Sequence, residues 1–290
     1  MKIGLVVCPT LVKQPFQALK QMELIMQQQV KNAYDLLVFP QAYLQGIYAI
    51  SDDANTANRI AIRQDSKLIN KLRSFCAKYC LGVAFGFYEK DDANAIYDSF
   101  MIVNREGKIR SIQRQLSSHW GETAGNQGAD NTNSEKVNLD QLALNDLLFE
   151  EAEQKELLAE LEQNDAIDSE HPLQANFSQG DALQCSFFAG KRVLILIGQD
   201  LVQESLIEAA ASLEPDIVLC PDALALTEKE YDEHKHKVWP AISERLDCPL
   251  LIVNGCYQDT YVKGGALAYI GRKFPLELKI GEMGILPVEL

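Results

Sequence analysis

The sequence predicts an α/β fold with internal pseudo-symmetry, and three observations point there. Short apolar runs alternate with helical patterns along the chain. The runs Leu36-Leu37-Val38-Phe39 and Val193-Leu194-Ile195-Leu196-Ile197 are apolar at every position, as strands covered on both faces must be. The stretch Asp35-Leu36-Leu37-Val38-Phe39-Pro40-Gln41-Ala42 is echoed by Asp216-Ile217-Val218-Leu219-Cys220-Pro221-Asp222-Ala223. In each, a buried strand is expected to stop at a proline that cannot extend the ladder.

The elements follow in order. Strands are expected at Lys2–Val7, Leu36–Phe39, Leu81–Tyr88, Ser99–Val103, Ile109–Gln113, Arg192–Ile197, Ile217–Leu219 and Leu250–Asn254. Asn104-Arg105-Glu106-Gly107 reads as a hairpin turn, so at least one pair is antiparallel. Helices are expected at Pro15–Asn32, Gln64–Tyr79, Gln203–Leu213 and Thr227–Leu246. The last opens on the capping pattern Thr227-Glu228-Lys229-Glu230, and Pro240 should kink or interrupt it. With 290 residues, 47% of them hydrophobic, the chain can form one large domain spanning 1–290.

One segment departs from this pattern. From Gly121 to Glu170 there are 14 acidic and 2 basic residues, so nearly all of the net charge of −14 sits there. Leucines at 139, 142, 147, 148, 157, 158 and 161 give it an apolar stripe. An insertion at about 121–174 is expected, either as a solvated lid or loop or as a docking surface for a protein partner.

Composition narrows the partners. A chain this acidic is unsuited to nucleic acid or to an anionic membrane surface, both of which need a Lys/Arg surplus. No apolar run reaches the ~20 residues of a membrane helix. The short apolar start reads as a core strand rather than a signal peptide. Seven scattered cysteines fit reduced thiols and a cytoplasmic location. Cys76 and Cys80, four apart on a helical pattern, would share a face, but no histidine cluster joins them into a metal site. His234 and His236, two apart in a helix, face different ways. No metal and no cofactor are expected.

Three segments carry a resemblance to a known family. "DLLVFPQAYLQGIY" resembles the first motif of the nitrilase, or carbon–nitrogen hydrolase, superfamily, in which F-P is followed by Glu. "GFYEKDDANAIYDSFMIVNREGKIRSIQRQL" resembles the second, where a Y-N-S step and a hairpin lead into Y-R-K. "KRVLILIGQDLVQESL" resembles the third, built around I-C-x-D. The resemblance implies a four-layer α-β-β-α sandwich, a homodimer, and a Glu-Lys-Cys site that cleaves C–N bonds through a thioester or thioimidate. In that chemistry Glu takes the thiol proton and Lys stabilises the charge that develops on the tetrahedral intermediate.

Carried over residue by residue, all three catalytic side chains differ. Gln41 stands at the Glu position, Gln115 at the Lys position and Gly198 at the Cys position; a one-residue slip would put Arg114 in place of Gln115. Asp200 keeps the family's Asp and should organise the corner by accepting backbone N–H bonds. The binding set expected around the vacated site is Gln41, Tyr43, Gln115, Gly198, Gln199 and Cys220. Tyr48 and Trp239 are candidates for the cavity wall. Ser117-Ser118-His119 reads as loop sequence, since adjacent Ser and His seldom adopt triad geometry.

Three functions fit these residues. The first is a non-catalytic protein of this fold that binds a small amide-like ligand or a protein partner. The second is a carbon–nitrogen hydrolase of amidase type acting on non-peptide amides through a displaced thiol, with Cys220 the candidate. The third is a structural subunit of an active nitrilase-like partner.

Overall fold

The computed structural model describes residues 1–49, 54–117, 176–258, 260, 262–271 and 275–290. The acidic stretch expected at 121–174 lies outside them, as do Ser118 and His119. The strands are β1 (Lys2–Val7), β2 (Leu36–Val38), β3 (Gly82–Lys90), β4 (Ala95–Val103), β5 (Ile109–Arg114), β6 (Asn176–Phe177) and β7 (Ser186–Phe188). They continue with β8 (Lys191–Ile195), β9 (Ile217–Asp222), β10 (Leu250–Asn254), β11 (Ala266–Tyr269), β12 (Leu276–Leu278) and β13 (Gly284–Glu289). The helices are α1 (Pro15–Gln29), α2 (Ala54–Ile60), α3 (Lys67–Tyr79), α4 (Glu204–Ser212), α5 (Glu228–Glu233) and α6 (Trp239–Leu246).

Two sheets stack face to face. Among the described residues, the first runs β13-β1-β2-β3-β4-β5, with β6 joined to β4, and the second runs β7-β8-β9-β10-β11-β12. Each repeats one scheme: an antiparallel neighbour, three parallel strands, then two antiparallel ones. The echo between the two strand exits therefore reflects a repeated topology.

Side-chain alternation assigns the layers, because successive residues of a strand point to opposite faces. Ile3, Leu5, Leu36, Val38, Phe100 and Ile102 meet Val193, Ile195, Ile197, Leu219, Leu251 and Val253 between the sheets. The alternate residues Val6, Leu37, Val83 and Met101 pack with Leu19, Met22, Leu72 and Phe75 of α1 and α3. Leu194, Leu196, Val218 and Cys220 pack with Ile207, Tyr231, Trp239 and Ile242 of α4 to α6. The result is the α-β-β-α sandwich.

Local details amend several expectations. Helix α3 is capped by Ser66, whose side chain accepts from the Ile69 amide, and it ends at Cys80 in the left-handed conformation. Cys76 is therefore buried and Cys80 exposed, so the two do not share a face. Thr227 and Glu230 form the expected reciprocal cap. The α-helix is interrupted just ahead of Pro240: a π turn at His234–Val238 separates α5 from α6, and Pro240 sits in the first turn of α6, where its missing N–H is tolerated. Strand β9 does not stop before Pro221 but runs through it to Asp222, with Pro221 opposite Val253. No helix among the described residues is long and apolar enough to cross a membrane.

Candidate functional site: a corner of amides and carboxylates

The corner after β8 is a glycine because of its backbone and its neighbour. Gly198 has φ +50°, a conformation in which a β-carbon is strained. A β-carbon there would lie 2.6 Å from Gln41 Oε1 and 3.0 Å from Gln41 Nε2. The buried Gln41 amide thus takes the space into which a side chain at 198 would project. Gly86 permits this approach from the β3 side: a β-carbon on it would meet the Ala42 nitrogen at 2.2 Å.

Gln41 is held from two directions. Its Nε2 donates to Asp98 Oδ2 at 2.7 Å and to Gln115 Oε1 at 3.3 Å. Gln115 Nε2 donates onward to Ser117 Oγ at 2.6 Å. The Gln115 backbone N–H donates to the Asp98 carbonyl at 2.8 Å, prolonging the β4–β5 ladder by one step. Arg114 points elsewhere. It grips the buried Glu89 with Nη2 at 2.6 Å and Nε at 3.0 Å, and its guanidinium lies 3.7 Å from the centre of the Tyr97 ring. Burial pushes the Glu89 carboxyl up, but hydrogen bonds from Arg114, Ser99 and Gln64 outweigh this and hold it below its ordinary value. Gln115, rather than Arg114, is thus the neighbour of Gln41.

Asp200 joins the corner to the chain leaving β5. Its carboxylate accepts from the N–H groups of Ser117 (2.7 Å), Leu116 (3.0 Å) and Ile197 (3.3 Å). Burial raises its pKa, and these bonds oppose the rise. Glu204, at the start of α4, pairs with Arg245 of α6 on the surface.

The sequence reading missed Asp98. It lies between the sheets, buried, with Oδ1 lacking a partner among the described residues. Burial pushes its carboxyl up to about 7, with the hydrogen bond from Gln41 pulling down and Asp200 and Asp222 adding repulsion. The signal was present in Tyr97-Asp98-Ser99, which puts an acid in the middle of the family's Y-N-S step. Gln41, Gln115 and Gly198 are neutral, as read, but a titratable carboxyl stands beside them.

Two expected members of the binding set lie elsewhere. Tyr43 packs against Phe39, with ring centres 4.8 Å apart, and donates to Gln21 of α1 at 2.7 Å, on the helical side of the first sheet. Cys220 has the parity of Val218, so its thiol faces the outer helices. Burial, and then the charges of Asp222 and Asp200, raise its pKa well above that of an ordinary thiol. Gln199 is half-buried one step past the corner. Tyr48 stacks edge-on against Tyr257, and Trp239 stacks edge-on against Tyr231. His234 bonds to the Glu230 carbonyl and His236 to Asp232, so the two histidines have separate partners.

Residues 2–134 match the sequence profile of the carbon–nitrogen hydrolase family. No curated protein sequence matches the chain. Among solved structures, an amidase from Nesterenkonia sp. aligns with TM-score 0.70 at 16% identity, covering 100% of this chain and 90% of that one. The NitN amidase, from strain AN1 of that organism, aligns equally, at 16% identity and TM-score 0.70, over 100% of this chain and 92% of its own. So does a cysteine-to-alanine mutant of the AN1 amidase in complex with butyramide, at 16% identity and TM-score 0.70, with 100% and 90% covered. The chain thus has the fold of these nitrilase-superfamily amidases, and its residues 2–134 carry the carbon–nitrogen hydrolase sequence pattern.

Proposed function

We propose that this is a non-catalytic protein of carbon–nitrogen hydrolase fold, with a binding or regulatory role. In this reading Gln41, Gln115 and Gly198 occupy the positions of the family's Glu, Lys and Cys. One observation carries it: the Gln41 amide fills the space beside Gly198 that a nucleophile's side chain would need. A glutamine neither takes nor gives a proton near neutral pH. Loss of the nucleophile from a catalytic unit typically costs about 10⁶ in turnover.

The solved amidases sharpen the assignment. A glutamate-to-glutamine mutant of the AN1 amidase still shows covalent addition of the acetamide moiety of fluoroacetamide at its active-site cysteine. Glutamine at the base position therefore leaves a thiol able to react in that protein. By extension, Gly198 rather than Gln41 is the decisive difference here.

The test is ammonia release from acetamide, butyramide and acrylamide by the purified chain. The expected rate equals the buffer blank. A rate that survives purification and falls in Asp98→Asn or Cys220→Ser overturns the proposal. Introducing Gln41→Glu, Gln115→Lys and Gly198→Cys together should restore covalent labelling by fluoroacetamide at residue 198.

The second reading is amide hydrolysis through a displaced group. Two observations favour it: the amidase fold and Asp98, a carboxyl raised to about 7 beside Gln41, where it can act as a base at neutral pH. Cys220 suits the role poorly, since a reactive thiol needs a lowered pKa. Iodoacetamide at pH 7.5 followed by peptide mapping should label the exposed Cys80 and leave Cys220 intact. Fast labelling of Cys220 in the folded chain would favour the hydrolase.

A further inference from the structure

A second polar site lies outside the corner, between the second sheet and its helices. Asp222, Tyr231, Trp239 and Asn254 enclose a cavity with Leu224 and Leu267, and about 10 Å³ is open to the centre of a water-sized occupant. That is room for one particle of this size. The Tyr231 hydroxyl is buried and has no partner among the described residues. It rests over Gly265, where a β-carbon would come within 2.8 Å of its oxygen, so glycine keeps that wall clear.

The charge of the site needs an answer. One Asp222 carboxylate oxygen accepts from the Ala223 N–H at 2.8 Å, and no lysine or arginine among the described residues pairs with it. Lys235, on the helical side, is tied to Glu277 at 2.7 Å. Asn254 cannot serve, because its side chain accepts from the Leu224 N–H and donates to the carbonyls of Leu224 and Gly264. Burial pushes the Asp222 carboxyl up to about 7. Asp98 of β4 and Cys220 on the same strand are the acidic groups that feel its charge, and Glu277 acts on Tyr231 from the helical side. Among the described residues no three His, Cys, Asp or Glu side chains converge as a metal site. A divalent ion, whose two charges a single carboxylate does not balance, is therefore unsuited.

The geometry points to a site for one water-sized monovalent cation, ammonium or potassium, held by the Asp222 carboxylate and the Tyr231 hydroxyl beside the Trp239 ring. The carboxylate supplies the compensating charge, the hydroxyl an oxygen lone pair, and the indole a face that attracts cations.

The experiment is thermal unfolding of the full chain at pH 8 in ammonium, potassium or tetramethylammonium chloride at equal ionic strength. The third ion is too large for the cavity. A ligand that binds only the folded state raises Tm, here by about 2 °C or more at ~0.2 M salt, in ammonium or potassium over tetramethylammonium. The more effective of the two names the occupant. Tyr231→Phe keeps the packing and should shrink the difference, and Asp222→Asn should abolish it. Repeating the comparison at pH 6, where Asp222 takes up a proton, should also shrink it. Equal Tm in all three salts overturns the proposal and leaves an internal water as the occupant. A difference that survives both substitutions overturns it too, because the ion then acts elsewhere.

Discussion

In the first half of the chain, β2 leads through Pro40 to Gln41; in the second, β9 leads through Pro221 to Asp222. The strands around both exits follow one scheme, yet the exits are fixed differently. At the first, the backbone does the holding: Gly86 donates to the Pro40 carbonyl at 3.1 Å, and Leu44 donates to the Gly86 carbonyl at 3.1 Å. At the second, the Gly255 N–H reaches the Asp222 carbonyl at 2.9 Å, and the Asn254 side chain ties down the loop beyond. The polar side chains part company as well. Gln41 is neutral and bonded to two neighbours, whereas Asp222 is a buried acid with a single backbone donor among the described residues. A repeated framework fixes where a strand ends, and the side chain delivered there remains open to divergence.

The comparison breaks first at Asp200, which binds the Gly198 corner to the segment after β5. Asp200→Ala strips an acceptor from three backbone N–H groups, each costing about 1–3 kcal/mol when left unpaired in the interior. A loss of about 3–5 kcal/mol in urea unfolding is expected. An unchanged midpoint would mean that corner and segment are independent.

Gly198→Ala should come next, at about 2–3 kcal/mol, from the left-handed backbone and the crowding against Gln41. Pairing it with Gln41→Ala should recover the crowding part and leave the backbone part. Simple additivity in that cycle would show that the two side chains do not compete for space.

The acid at the first exit sharpens the contrast through pH. Asp98 has a folded pKa raised above its unfolded value, so the folded chain favours the protonated form. Its contribution is full below about pH 4 and is lost as pH rises through about 7. Asp98→Asn should flatten that decline and, at pH 8, exceed the parent by about 1–3 kcal/mol. Denaturant titrations at pH 4 and pH 8 provide the check. A variant less stable than the parent at pH 8 would show Asp98 to be stabilised as an anion.

Tyr43→Phe is the smallest change. It removes the hydroxyl's hydrogen bonds with Gln21 and with the Cys8 thiol, for about 1 kcal/mol together. Ligand responses at the corner should be unchanged, since Tyr43 belongs to the α1 layer.

Much of this arrangement was readable in the residues. Apolar runs such as Val193–Ile197 mark strands buried on both faces, and Thr227-x-x-Glu230 marks a helix start, because each encodes a local physical requirement. Strand β13 was not readable: Pro287 argues against a strand, yet it lies on a sheet edge, opposite Gly4, where its missing N–H is tolerated. Cys80 ends α3 without the glycine that usually announces such a cap. The meeting of Gln41, Gln115 and Gly198 came from resemblance alone, since no local pattern links residues 74 and 157 positions apart. Asp98 escaped because the expected strand began at Ser99, which left the acid outside it, whereas β4 begins at Ala95 and carries Asp98 in beneath the opposing sheet.

Strand β1 is flanked on its outer side by β13, and Met1 and Leu290 exchange backbone bonds at 2.6 and 2.9 Å. The outer flank of β1 is therefore sealed by a strand that lies more than 270 positions away in the sequence. Removing β13 would unmask the N–H and C=O groups of β1 and invite intermolecular strand addition, so this distant pairing also guards the sheet against aggregation.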